Sequence, residues 1–321
     1  FDGEKNKIIN GITDWVYEEE FAFVRAFEWN AGSDTIAFIR FDESQVPEFS
    51  MDIYGTDLYQ TQEVFKYPKA GEKNAIVSLH FYNLNANQTS AVALSKNYQD
   101  FYIPRIKWTN DSTVLSAQYL NRHQNTLDLW LINPKESKAD LVLSEQDDAY
   151  VKVTDNLTFL DDHSFIWTSE KDGFNHIYHY TKEGKLKNQI TKGDWEVTNY
   201  YGYNESAHSI YYQSVENGST NRDVYSIRLN GKKKKRLSLA EGTSDASFSA
   251  DFTYFIKTYS NASTPPKYTL NDSKTGRLLK NIKDNSALLK TLSNYKFSNK
   301  EFSTLNVNGN DLNMWMLKPA D

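Results

Sequence analysis

Three consecutive glutamates framed by aromatic residues are the group in this sequence best suited to chemistry. Residues 15–21 read Trp-Val-Tyr-Glu-Glu-Glu-Phe. In a strand Glu19 and Glu20 would point to opposite faces, whereas on a helical turn they diverge by about 100° and can reach one target. A partly buried acidic pair needs a compensating cation, and an ammonium group fits that need. We therefore expect a helical turn that binds a cation, with a solvated charged face as the alternative.

Four segments, in order and at suitable spacing, resemble the dipeptidyl peptidase IV family, which are serine exopeptidases of the prolyl oligopeptidase superfamily. They are residues 10–20, 67–71, 192–197 and 284–288. The resemblance implies an enzyme that removes dipeptides from peptide N-termini, with proline or alanine at the second position. It also implies that Glu19 and Glu20 bind the α-ammonium of the substrate. Replacing either residue by alanine in the full enzyme should then lower catalytic efficiency by orders of magnitude.

A repeating unit of aromatic residue, turn and strand predicts the fold. The unit begins near Trp29, Trp108, Phe159, Tyr203 and Phe248, and the last four lie 51, 44 and 45 residues apart. Several strands per repeat and a period near 45 residues are typical of β-propeller blades. We expect an all-β chain with about five blade-like units, where the resembled family has eight. Its sheet edges would be closed by another chain or upstream residues, or stay as an open arc.

The repeats also predict the domain organisation. Residues 1–282 form the propeller, with an inserted arm at about 46–73, because the first repeat is longer than the others. The resemblance implies that the arm helps to form a homodimer; a floppy surface loop is the alternative. Residues 283–321 are expected to form a short helix capped by Asn285 or Ser286. A hairpin turning at residues 308–310 follows and leads towards an α/β-hydrolase domain that is absent from this chain.

The chain lacks the motif that the chemistry of this superfamily requires. No Gly-x-Ser-x-Gly occurs, so no catalytic residue is assigned and the chain alone should be inactive. His163 follows two aspartates, but its surroundings favour a hairpin turn over a catalytic base. His176 and His179 are three apart in a predicted strand and would face opposite sides, so we expect no metal there. No cofactor is expected either.

Composition limits the partners and the location. The net charge of −6 argues against nucleic-acid binding, and no apolar run approaches the 18 residues of a membrane span. The basic run at residues 232–236 is explained better as protection of an edge strand than as an anion site. Cysteine is absent, so disulfides are excluded. With the resemblance, this favours a periplasmic, secreted or cell-surface protein whose signal peptide is not visible because the chain starts internally.

Tyr150 is a further candidate for substrate contact, and two alternative functions are possible for the propeller. In the resembled family an aromatic residue before the strand near Phe159 contacts substrate, and Tyr150 is the candidate here. The chain has Val151 and Lys152 where the family has an arginine, so that contact is not carried over. The alternatives to a substrate-gating propeller are a non-catalytic propeller for protein–protein interaction and a carbohydrate-binding propeller.

Overall fold

The computed structural model describes residues 2–319, which form two compact units. Unit 1 consists of residues 2–155, 159–165 and 181–185, and unit 2 of residues 156–158, 166–180 and 186–319. Both units are built almost entirely from antiparallel strands, and two short helices occur in the described part of the chain. The expected all-β class is confirmed.

The first sheet of unit 1 has an edge strand that is interrupted. Its strands are β1 (Ile8–Asn10), β2 (Phe27–Trp29), β3 (Thr35–Asp42), β6 (Ile76–Asn83) and β7 (Gln88–Ala91). Both β1 and β2 pair with β3, at different ends of it, and β3 continues to β6 and β7. Helix α1 (Trp15–Glu20) lies in the segment that separates β1 from β2.

The arm of unit 1 is a separate hairpin inserted between β3 and β6. It consists of β4 (Glu48–Ile53) and β5 (Thr61–Lys66), paired in register from Glu48↔Lys66 to Ile53↔Thr61. Lys66 Nζ donates to the carbonyl oxygen of Val46, 2.9 Å away, where the hairpin leaves the sheet. The predicted insertion is therefore an ordered two-stranded element.

The second sheet of unit 1 has the regular order of a propeller blade. Its strands are β8 (Phe101–Trp108), β9 (Leu115–Asn121), β10 (Thr126–Asn133) and β11 (Lys138–Gln146), hydrogen-bonded in chain order. Pairing between β8 and β9 shifts register between Tyr102 and Arg105. Pro104 has no N–H to donate, which accounts for an irregularity at this point. At this irregularity the N–H of Ile103 in β8 donates to the Tyr17 hydroxyl of α1.

The other sheets have the same up-and-down order. The third sheet contains β12 (Thr158–Phe159), β13 (Phe165–Ser169), β14 (His176–Tyr180) and β15 (Leu186–Gln189). The fourth contains β16 (Val197–Asn204), β17 (Ser209–Ser214), β18 (Asp223–Arg228) and β19 (Lys235–Arg236). The fifth contains β20 (Thr243–Phe248), β21 (Tyr254–Asn261), β22 (Thr264–Asp272) and β23 (Leu278–Lys283). Five blade-like sheets in residues 2–319 confirm the partial propeller.

Two of these sheets share a hydrogen-bond arrangement around a buried polar residue at the start of the third strand. In β18, Asp223 accepts a hydrogen bond from Ser238 Oγ at 2.8 Å, and Ser238 Oγ accepts from Val224 N at 2.9 Å. In β14, His176 Nδ1 lies 3.0 Å from Thr191 Oγ1, which accepts from Ile177 N at 2.9 Å. The hydroxyl follows the buried polar residue by fifteen positions in each sheet. In these two sheets one hydroxyl thus ties the segment after the fourth strand to the third strand.

The C-terminal segment of unit 2 consists of a helix and a hairpin. Helix α2 is Ser286–Leu292, and β24 (Glu301–Val307) pairs with β25 (Asn310–Met316) alone. The predicted side-chain cap is wrong: Asn285 occupies the cap position with a φ of 55° and makes no cap hydrogen bond. Asp284 accepts from Ser286 N at 3.0 Å instead. The wider division at residues 282 and 283 stays a prediction.

Candidate functional site

Helix α1 is carried by a loop that leaves the first sheet and returns to it. The amide of Gly11 donates to Ile39 O at 3.0 Å, and Ile39 N donates to Ala26 O at 2.9 Å. Above these bonds, Thr13 N donates to Val24 O at 3.1 Å, so the two sides of the loop stay paired. The six-residue helix closes this loop, and the sheet fixes its two ends.

Asp14 starts the helix. Its Oδ1 accepts a hydrogen bond from Tyr17 N at 3.1 Å, which is the usual N-cap arrangement. The carboxyl is only 8% exposed, and burial raises the pKa of Asp14 to about 6. The cap bond to Tyr17 opposes that rise but does not cancel it. The helix is therefore capped by a carboxylate that ionises at a cost.

Tyr17 fixes the buried side of the helix. Its ring packs against Phe21 at 5.1 Å and Phe41 at 4.9 Å between centroids. Its hydroxyl accepts a hydrogen bond from Ile103 N at 2.7 Å, at the irregularity of β8. Burial raises the pKa of Tyr17 well above its ordinary value, so the phenol stays neutral. A contact between residues 86 positions apart thus holds α1 on the second sheet.

Trp15 fixes the opposite side. Its ring meets the edge of Tyr67 with 4.2 Å between centroids and 61° between planes. A groove of about 840 Å³ lies beside this contact, and its walls include Trp15, Glu20, Phe49, Tyr67 and Arg122. The helix is therefore held from the sheet on one side and from the arm on the other.

The helix presents its carboxylates to solvent. Glu18, Glu19 and Glu20 are all exposed, whereas Val16 and Tyr17 are buried. The predicted helical turn is confirmed, but the expectation that the acidic pair is partly buried is wrong for this chain. The buried residues Val16 and Tyr17 face inward, and the three glutamates lie on the solvent-exposed face of the helix. Among residues 2–319 no cation forms an ion pair with Glu19 or Glu20, so both carboxylates are available to an added cation.

Tyr150 lies in the segment that follows β11. It is 53% exposed, and its amide donates to Asp147 Oδ1 at 3.2 Å in a turn. In the described part of the chain no hydrogen bond or ring contact joins Tyr150 to α1. Its role in substrate contact stays a prediction.

His163 and His176 both have contacts that indicate a structural role. His163 has a φ of 63° and donates its amide to Leu160 O at 2.9 Å, which confirms the turn. His176 is buried with its ring nitrogens beside Thr191 and Gly193. Its ring also meets Trp195 at 4.9 Å. Trp195 therefore packs against a buried histidine.

An arginine that the sequence did not single out lies close to the loop. The guanidinium of Arg105 stacks 5.4 Å over the ring of Phe23, at the end of the α1 loop. It is bonded to Asp155 and to the carbonyl oxygen of Pro104, the latter at 2.6 Å. No motif marks this residue, because the contact depends on how the strand and the loop pack.

Comparison with known proteins identifies relatives of this chain. Residues 1–266 match the family model of the dipeptidyl peptidase IV (DPP IV) N-terminal region. A probable dipeptidyl-aminopeptidase B of Phaeosphaeria nodorum is 28% identical over 98% of this chain, and a dipeptidyl peptidase 4 of Trichophyton equinum is 30% identical over 98%. The matched parts are 38% and 43% of those proteins.

Solved structures agree with the fold. The crystal structure of Porphyromonas gingivalis dipeptidyl peptidase 4 superposes over 100% of this chain with a TM-score of 0.93 and 41% identity, and 46% of that chain is covered. A putative dipeptidyl aminopeptidase IV from Bacteroides ovatus matches over 99% with a TM-score of 0.83 and 23% identity, and 48% of it is covered. This chain spans less than half the length of each of these relatives.

Proposed function

The chain belongs to the dipeptidyl peptidase IV N-terminal region family, and we propose that it anchors the free N-terminus of peptide substrates in a whole dipeptidyl peptidase. In that protein a serine hydrolase domain would remove Xaa-Pro or Xaa-Ala dipeptides by acyl transfer. The propeller would supply the ruler, because a substrate held at its ammonium presents only one peptide bond at a fixed distance. The chain itself carries no catalytic residue and needs no cofactor in this proposal.

The observation that carries the proposal is the exposed, unpaired acidic pair on a helix that is rigidly mounted. Within residues 2–319 neither Glu19 nor Glu20 forms an ion pair, while Asp14, Tyr17 and Trp15 fix the helix beneath them. An ammonium group carries three N–H donors and suits two neighbouring carboxylates. A solvated charged face would not need a helix held from two sides.

Two exposed apolar surfaces support the proposed partners. The tip of the arm exposes Tyr54 (80%), Leu58 (97%) and Tyr59 (83%), and we assign it to a second copy of the protein. The C-terminal hairpin exposes Phe302 and Trp315, and we assign it to the hydrolase domain.

The proposed function includes a location outside the cytoplasm and a substrate contact by Tyr150. A periplasmic or cell-surface protein fits a peptidase that acts on peptides from outside the cell. In residues 2–319 neither helix has the length and apolar character needed to cross a bilayer. Tyr150 is kept as a contact to the substrate.

Kinetics of the full-length protein test the proposal. We expect cleavage of an Ala-Pro chromogenic substrate and none of the same substrate with a blocked N-terminus. Glu19→Ala or Glu20→Ala should lower kcat/KM by about 10- to 100-fold each, since a hydrogen bond to a charged group contributes about 1.5–3 kcal/mol. Glu18→Ala serves as the matched control. Unchanged kcat/KM in both variants would refute the proposal.

A further inference from the structure

The orientation of α1 depends on its side contacts. A helix of six residues has too few internal hydrogen bonds to be stable alone. Tyr17 holds it on the side of the sheets, through ring packing and the bond from Ile103. On the other side, the ring of Trp15 meets Tyr67. The direction in which Glu19 and Glu20 point therefore follows from both contacts.

Tyr67 belongs to the root of the arm. It follows β5 directly, and its amide donates to Pro47 O at 2.9 Å, which closes the base of the hairpin. Its ring also packs against Phe49 of β4, with 5.4 Å between centroids. A displacement of the arm would therefore move the ring that supports Trp15.

A groove beside this contact limits the other packing between the arm and α1. It has a volume of about 840 Å³, and its walls include Val16, Glu20, Phe49 and Phe65. Where a cavity replaces packed side chains, dispersion contacts across the gap are lost. In the described residues, Trp15–Tyr67 is the ring pair that bridges the arm and α1.

We propose that Tyr67 is a positioning residue which, through Trp15, couples the arm to the affinity of α1 for a peptide N-terminus. This inference rests on the proposed function. Tyr67 does not touch the substrate; it sets the orientation of the helix that carries Glu19 and Glu20. Burial of the arm tip against a second copy would restrict the motion of the hairpin. It would therefore also restrict the orientation of α1.

Thermodynamic linkage makes the coupling reciprocal. If association of two copies tightens peptide binding, peptide binding must strengthen association by the same factor. The exposed tip residue Leu58 gives access to the arm without touching Tyr67 or Trp15. The two ends of the coupling can therefore be perturbed separately.

The first experiment measures recognition of the ammonium group in the full-length protein. The readout is kcat/KM for an Ala-Pro substrate divided by that for its des-amino analogue. Tyr67→Ala should lower this ratio about three- to tenfold, through KM and not kcat, since an aromatic pair of this kind is worth a factor of that size. Tyr67→Phe should retain the wild-type ratio. Tyr67→Leu, which removes the ring but leaves more apolar bulk than alanine, replaces the alanine variant if that one does not fold.

The second experiment is a double-mutant cycle with the arm tip. Leu58→Ser should weaken self-association in sedimentation and raise KM in the wild-type background. In the Tyr67→Ala background it should leave KM unchanged, and a substrate-like inhibitor should no longer strengthen association. Additive effects, or an unchanged amine ratio in a folded Tyr67 variant, would overturn the inference. A failure of the proposed function is distinguishable, because Glu20→Gln would then also leave the ratio unchanged.

Discussion

Replacing Asp14 by asparagine should stabilise the chain at neutral pH. Asparagine keeps the side-chain oxygen that caps the helix, so the hydrogen bond from Tyr17 N is retained. It removes a carboxylate whose ionisation burial opposes. The substitution therefore separates the benefit of the cap from the cost of the charge.

The magnitude follows from the pKa of Asp14. Folding raises this pKa from 3.8 to about 6, because the carboxyl is buried. Below the unfolded value both states are protonated and no penalty exists; as the pH rises to about 6 the unfolded state loses its proton first, so folding becomes less favourable. Above about pH 6 the penalty is complete and amounts to about 3 kcal/mol. Asp14→Asn should recover a large part of this.

Urea denaturation of wild type and variant between pH 4 and pH 8 measures the effect. The advantage of Asp14→Asn should be largest at pH 7–8 and fade as the pH falls from about 6 to about 4. Asp251→Asn is the matched control of opposite sign: hydrogen bonds from Ser249 and Thr253 lower the pKa of Asp251 to about 2. That variant should be destabilised above pH 4. A stability difference for Asp14→Asn that does not vary with pH would show that the ionised Asp14 does not destabilise the folded chain.

Two further substitutions test the packing of the sheets. Ser238→Ala should lower the free energy of unfolding by about 1–3 kcal/mol, because the buried amide of Val224 loses its acceptor. Denaturant midpoints measure this loss, and the surface substitution Ser206→Ala should change the midpoint little. Gly184→Ala should cost well over 1 kcal/mol, since Gly184 has a φ of 79° and an added methyl would collide with a β11 carbonyl. Gly173→Ala, at a positive φ but in open space, should cost about 1 kcal/mol, and equal melting temperatures for the two would contradict this account.

The strands were predictable because each repeat carries its own local signals. Alternating apolar residues and turns at Gly184 and Gly231 mark hairpins, and both glycines have a positive φ. The sequence placed His176 and His179 in one strand, and β14 spans His176–Tyr180. The spacing of fifteen residues from His176 to Thr191, repeated from Asp223 to Ser238, was not predicted, because only the hydrogen bonds of the structure join the two residues of each pair.

The support of the acidic helix was not predictable. The bond from Ile103 to Tyr17 and the contact of Trp15 with Tyr67 join residues far apart in the chain. They depend on which sheets are neighbours, which a periodic pattern does not specify. The burial of the acids was misjudged for a related reason. Aromatic neighbours were expected to cover Glu19, but they pack inward and leave it exposed.

The proposed anchoring of the substrate depends on the interaction between Glu20 and the substrate ammonium group. In the full-length protein, kcat/KM is measured for an Ala-Pro substrate and its des-amino analogue, with wild type and with Glu20→Gln. We expect wild type to prefer the amine by about 10- to 100-fold and the variant to lose most of this preference. An equal preference for the amine in wild type and variant would show that Glu20 does not bind the ammonium group.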